Sequence, residues 1–240
     1  MPILVFDDAT RFRLLPFTHT RPVADIRCGI LTMRERWERL LGATTGTLSD
    51  PSLQELFPAE TGTDNLLVNG AVFATAELAA AAQALTVGQA LVKDGFIIAA
   101  RTDMVPAFDA LAAFLASLSV QTYTGAVERL DRVWDIFSKN DMALRADFRL
   151  LTEGRQSESI PTHVTVSRPD QVFIEPGAVI HPCIINAATG PVYIGADAEI
   201  MEGCLLRGPL SVGPHVILKM GAKVYGATTL GPGCRAGGEL

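Results

Sequence analysis

The stretch IGADAEIMEGCLLRGPLSVGPHVILKMGAKVYGATTLGPGC, running from Ile194 to Cys234, decides the architecture of the second half of the chain. An aliphatic residue returns at every sixth position: Ile194, Ile200, Leu206, Val212, Leu218, Val224 and Leu230. A second row follows four positions behind: Ala198, Cys204, Leu210, Val216, Ala222, Thr228 and Cys234. Turn formers fill the gaps, as in Gly195-Ala196-Asp197 and Gly231-Pro232-Gly233. Each six-residue unit then makes a short flat strand and a turn, with one large and one small side chain pointing inward. A narrow prism has no room for two large side chains per face, which accounts for the Ala, Cys and Thr of the second row. Stacked coils pair their backbones and no coil is stable alone, so the reading is a parallel β-helix. An alternating-strand sandwich fits six-residue spacing poorly.

Working outward, Ile174 and Ile180 belong to the same row but precede a slip at Asn186–Tyr193, where two extra residues intrude. Further upstream, Gly154–Pro161 is the most polar stretch and reads as a linker. The expected domains are therefore 1–153, of α/β type, then a linker at 154–163, then the repeat at 164–240. The chain stops at Arg235–Leu240, just after a repeat and without a polar capping coil. Repeat arrays normally carry a cap, so the expectation is a fragment of a longer protein. Cys204 and Cys234 occupy the small inward position, where packing explains them better than catalysis.

The first 153 residues have a different texture. Ile3-Leu4-Val5-Phe6 reads as a buried strand, followed by an irregular stretch over 9–22 that carries Arg11, Arg13 and Arg21. Ile26, Ile30, Met33, Trp37, Leu40 and Leu41 predict a helix near 24–41, stopped by Gly42. Asn65–Gly70 reads as a strand ending in a turn, and Glu77–Leu85 as a helix. Lys93-Asp94-Gly95 marks a hairpin between 90–92 and 96–99. Leu111, Phe114, Leu115 and Leu118 mark another helix, and Leu130–Arg149 one or two more. Strand, basic loop and helix in that order make an α/β unit.

Composition narrows the function classes. Hydrophobic residues are 48% and charged residues 19% of the 240, enough for a sizeable core. A net charge of −6 argues against nucleic acid as a partner. The apolar stretches Ala76–Val92 and Pro106–Val120 are interrupted by Glu77, Gln83 and Asp109, so no membrane partner is expected. The four cysteines, Cys28, Cys183, Cys204 and Cys234, are far apart, which suits a reducing cytoplasm.

Arg13-Leu14-Leu15-Pro16-Phe17-Thr18-His19-Thr20-Arg21-Pro22 resembles the signature of sugar-1-phosphate nucleotidyltransferases, and the coil resembles that of hexapeptide-repeat acyltransferases. The combined layout is similar to bifunctional N-acetylglucosamine-1-phosphate uridylyltransferases, and more closely to shortened relatives. Those carry a Thr-Arg-Pro-x-Ala-Asp-Ile-Arg-x-Gly-Ile-Leu-Thr segment, which stands here as Thr20 to Thr32. The resemblance implies a Rossmann-like α/β nucleotidyltransferase domain followed by a left-handed parallel β-helix that trimerises. It implies nucleotidyl transfer from a nucleoside triphosphate to a sugar 1-phosphate, with acyl transfer from an acyl-coenzyme A as a possible second activity at the coil. Arg13 is then the catalytic arginine on the triphosphate. Arg11, Arg21, Thr18 and Gly70 would bind substrate, and Mg2+ would be the cofactor, with Asn140 and Asp8 as its ligands.

This sequence departs from the signature at several places. Asp7-Asp8-Ala9-Thr10-Arg11-Phe12 replaces a Gly-rich turn, Val23 replaces a lysine, and Ala71 replaces a metal-binding aspartate. Asp7 and Asp8 either supply a metal site or cap the first turn and pair with Arg11 or Arg13. Arg11 and Arg21 are as well explained by a salt-bridged loop as by phosphate contact. His181 and His215 lie on the coil where an acyltransferase places its base, yet each is better read as a surface residue. Three functions stay open: nucleotidyl transfer, a degenerate module that binds a nucleotide sugar or sets oligomeric state, and acyl transfer alone.

Overall fold

The computed structural model describes residues 1–239. The chain divides into two compact units: Met1–Ile26 with Leu31–Asp135, and Arg27–Ile30 with Ile136 onward.

The first unit is built on strands β1 (Ile3–Phe6), β2 (Gly46–Leu48), β3 (Asn65–Asn69), β4 (Gln89–Lys93), β5 (Phe96–Thr102) and β6 (Ser119–Thr122). They form one mixed sheet in the order β2-β1-β3-β5-β4-β6. β1 runs parallel to both β2 and β3, and β4 and β5 form an antiparallel hairpin. The hairpin turns at Asp94 (φ 47°) and Gly95 (φ 81°), the left-handed pair that a two-residue turn requires. Helices α1 (Thr10–Arg13), α2 (Met33–Leu41), α3 (Pro51–Gln54), α4 (Ala76–Gln83) and α5 (Phe108–Ala116) connect the strands. Alternation along β1 sends Ile3 and Val5 to one face, with Trp37 of α2 and Leu78 and Ala82 of α4. Leu4 and Phe6 go to the other face, with Leu111 and Leu115 of α5. A strand buried on both faces must be apolar throughout, as β1 is.

The helix expected over 24–41 is shorter. Thr32 caps α2 with Glu35 in a reciprocal capping box, and Gly42 (φ 68°) closes its other end. Before it, Val23–Asp25 makes a single 3-10 turn, and Arg27–Ile30 leaves to join the second unit.

The second unit begins with α6 (Asp135–Ser138, whose first residue closes the first unit) and α7 (Asn140–Thr152). Then come β7 (Thr165–Ser167), β8 (Val172–Ile174), β9 (Val179–Ile180), β10 (Ile184–Asn186), β11 (Val192–Ile194) and β12 (Glu199–Ile200). β13 (Leu205–Arg207), β14 (Leu210–Val212), β15 (Ile217–Leu218), β16 (Lys223–Val224), β17 (Thr228–Leu230) and β18 (Arg235–Ala236) complete it. Three four-stranded parallel sheets result, β7-β10-β13-β16, β8-β11-β14-β17 and β9-β12-β15-β18. This is a parallel β-helix whose stacked short strands are consistent with left-handed winding. Ile174, Ile194, Val212 and Leu230 stack in register, as do Ile180, Ile200 and Leu218. The expected slip is the loop 187–191, longer than its counterparts on the coils after it; the Arg145 guanidinium donates to Thr189 O there (2.6 Å).

The inward rows are buried through Val224, but Leu230 is only half-buried and Cys234 is exposed. Cys234 keeps its place in the repeat; burial there needs a further coil, and none lies on it among the described residues. Residues 136–153, read from sequence with the first domain, group with the coil. No helix among the described residues is long and apolar enough to cross a membrane.

Candidate functional site

The order β2-β1-β3 places the chain reversal between β1 and β3. In open α/β sheets the crevice outside the carboxyl ends of the strands at such a reversal is the usual ligand site. A cavity of about 670 Å³ opens there. Its floor is the end of β1 and the turn after it, including Asp8, Thr10 and Arg13, together with Asn69 at the end of β3. Phe96 and Ile97 of β5 and Leu111 and Leu115 of α5 supply an apolar wall. Arg129 comes in from a segment where Val72 and Arg129 pair antiparallel, just beyond β3.

Beneath the turn lies a buried polar cluster. Asp7 Oδ2 accepts from the Ser49 hydroxyl (2.5 Å) and from the Arg11 guanidinium (3.2 Å), and Oδ1 accepts from Val23 N–H (2.9 Å). Burial pushes the Asp7 carboxyl above its ordinary range, against the pull of Ser49, Val23 N–H and Arg11. Arg11 also donates to Arg21 O (3.3 Å), and the Thr18 hydroxyl donates to Arg11 O (2.8 Å). Arg11 and Thr18 are thus buried in the wall and hold the turn together. Arg21 is exposed on its outer side. Gly70 is buried, and its N–H donates to Phe6 O (2.9 Å). A Cβ there would come within 3.1 Å of Ala24 N and Val5 Cγ1, so close packing explains the glycine.

Arg13 and Asp8 are the candidates that face the cavity. Arg13 donates to Asp131 O (3.3 Å) and Thr10 Oγ1 (3.2 Å), and its Nη2 pairs with the Asp131 carboxylate. Arg129 reaches the same Asp131 oxygen at 3.3 Å and lies 4.5 Å over the Phe96 ring. Sequence reasoning missed Arg129, Asp131 and Asn69. Only Asn69 left a local signal, as the polar end of an apolar strand.

The magnesium ion implied by the resemblance does not find a donor set here. Asp8 Oδ1 already accepts from Thr10 N–H (2.8 Å) and Oδ2 from the Asn69 amide (2.9 Å). Ala71 is buried and offers no side-chain oxygen. Asn140 lies in the second unit, where its oxygen accepts from Gly29 N–H (2.7 Å) and its amide donates to Ala227 O (2.6 Å). Among the described residues no three of His, Cys, Asp or Glu gather as a metal site. On the coil, His181 Nδ1 lies 3.5 Å from Glu202 and His215 Nδ1 3.8 Å from Asp197, partners that the sequence did not reveal.

No curated protein matches the chain. A family model described as sugar nucleotidyl transferase matches residues 3–156, from β1 through the end of α7. That match takes in every element around the cavity and well over half of the sequence. The chain belongs to the sugar nucleotidyl transferase family.

Proposed function

We propose that the cavity takes a nucleoside triphosphate and a sugar 1-phosphate, and that the chain transfers the nucleotidyl group between them. The observation that supports this is the place of Arg13: in the cavity wall, beside the ends of two parallel strands, inside the stretch that matches the family. A sugar-phosphate oxygen attacks the α-phosphorus. The bond from that phosphorus to its bridging oxygen breaks, and pyrophosphate leaves with the electron pair. The nucleophile is already an anion at neutral pH, so the site's task is to offset negative charge and align the groups. Magnesium enters on the triphosphate, as part of the substrate. Ile97, Leu111 and Leu115 offer an apolar surface to the base.

The test is pyrophosphate release from each common nucleoside triphosphate with magnesium and a panel of sugar 1-phosphates. Release matched by nucleotide-sugar formation supports the reading, and no turnover with any pair overturns it. Ala71, which offers no side-chain oxygen, and Asn140, whose side chain is bonded within the second unit, favour a second reading, binding of a nucleotide sugar without turnover. Calorimetric affinity for a nucleotide sugar, with no product formed, selects it. For the coil we propose self-association into a trimer. Ile184 and Leu205 stand in register on one outer face and are 48% and 43% exposed. A monomeric mass at micromolar concentration contradicts this.

A further inference from the structure

We propose that Arg13 and Arg129, gathered by Asp131, form a two-arginine cradle for adjacent phosphoryl groups of a polyphosphate, and that the cradle neutralises their charge without a protein-bound metal. The ligand class rests on the nucleotide reading of the cavity. The geometry points to it in three ways. First, two guanidinium groups converge on one carboxylate oxygen. Arg132 Nε lies 3.7 Å from the other oxygen of that carboxylate, so one carboxylate faces three positive charges, and the arginine side of the cavity keeps a net positive charge although Asp8, Asp94 and Asp109 line it elsewhere.

Second, donors remain unspent. Arg13 Nη1 makes no hydrogen bond among the described residues, and the described partners of the Arg129 guanidinium are Asp131 and the face of Phe96. Two planar forks side by side match two neighbouring phosphoryl groups better than one carboxylate does. Their side chains are 35% and 31% exposed, open to a ligand yet partly withdrawn from water, where charge-assisted bonds strengthen.

Third, the arrangement is held in place. The Arg129 guanidinium carbon lies 4.5 Å over the Phe96 ring, which supports the side chain from one side. Asp135 Oδ2 accepts from the backbone N–H groups of Asp131 and Arg132, both at 2.8 Å, and so pins the turn that carries the shared carboxylate. Asp131 is a positioning residue, acting through the two arginines. The absent metal donors at the strand ends and the extra arginine are then two sides of one arrangement.

Titration calorimetry of the full chain with inorganic tripolyphosphate in excess EDTA tests the cradle. The wild-type chain binds, Arg129→Gln weakens binding by about tenfold or more, and Arg129→Lys restores part of the loss. Asp131→Asn separates the roles of the carboxylate. It adds one unit of positive charge, so a mere counter-ion predicts tighter binding, whereas a positioning residue predicts weaker binding with an unchanged melting midpoint. No binding by wild type, loss of binding on chelation, or equal affinity in Arg129→Gln overturns the cradle; tighter binding in Asp131→Asn overturns the role given to Asp131. Binding that survives chelation in a chain with no turnover sinks nucleotidyl transfer and leaves the cradle standing.

Discussion

In the coil, each buried aliphatic sits on another of its kind: Val192 on Val172, Ile194 on Ile174, Val212 on Ile194. In the mixed sheet, the residues that matter meet from far apart: Arg13 from the turn after β1, Asn69 from the end of β3, Phe96 from a hairpin, Arg129 from beyond α5. The first arrangement is written locally and repeated. The second exists only after the sheet has assembled. A change in the coil should therefore act on stability, and a change at the cavity wall should act on ligand affinity.

The largest expected effect is a hole in the coil. Ile200→Ala, at a site with no exposure, should cost about 2–5 kcal/mol because neighbours above and below cannot both close the gap. A chemical denaturation curve measures it. A loss under about 1 kcal/mol would show a coil that collapses readily and would break the contrast.

Gly29→Ala should come next. Gly29 has φ +92°, and an added Cβ would lie 2.9 Å from Ala143 Cβ on α7. The expected cost is about 1–3 kcal/mol, seen as a lower melting midpoint. An unchanged midpoint would mean that Arg27–Ile30 is not docked on α7.

The smallest effect leaves stability alone and sharpens the view of the coil's open end. Native-state alkylation at pH 8, read by mass spectrometry, should label Cys234 and spare Cys28, Cys183 and Cys204. Burial pushes the Cys183 thiol up to about 11, so it is neutral at that pH as well as covered. Labelling of Cys183 in the folded chain would show that the coil opens near its first turns.

What the sequence made legible follows the same line. The six-residue rows revealed the coil, its slip and its inward faces, because stacking repeats one local rule. They could not show that Cys234 is exposed, since burial there depends on what lies above it. The signature brought out Arg13, yet also Arg11 and Thr18, which the fold spends on the wall of the turn. Asn140 carried the right residue type at a plausible place, and its side chain is taken up instead by Gly29 N–H, Ala227 O and the Thr229 hydroxyl. Arg129 and Asp131 carry no motif, and Asp131 falls inside the stretch 130–149 that reads as helical. The antiparallel pairing of Val72 with Arg129, a contact between distant stretches, brings Arg129 to the cavity, with Asp131 beside it on Arg13.

Arg27–Ile30 is a short piece of early sequence that bonds to late residues: Asn140 holds Gly29 N–H, the Thr229 hydroxyl meets Gly29 O, and the Cys28 thiol donates to Ile136 O. No single cut can then yield both halves intact. A product ending at Asp135 would carry four orphaned residues, three of them apolar or small, and a product starting at Ile136 would have an empty seat along α7. Anyone dissecting this molecule must graft the tetrapeptide onto the later half rather than simply truncate.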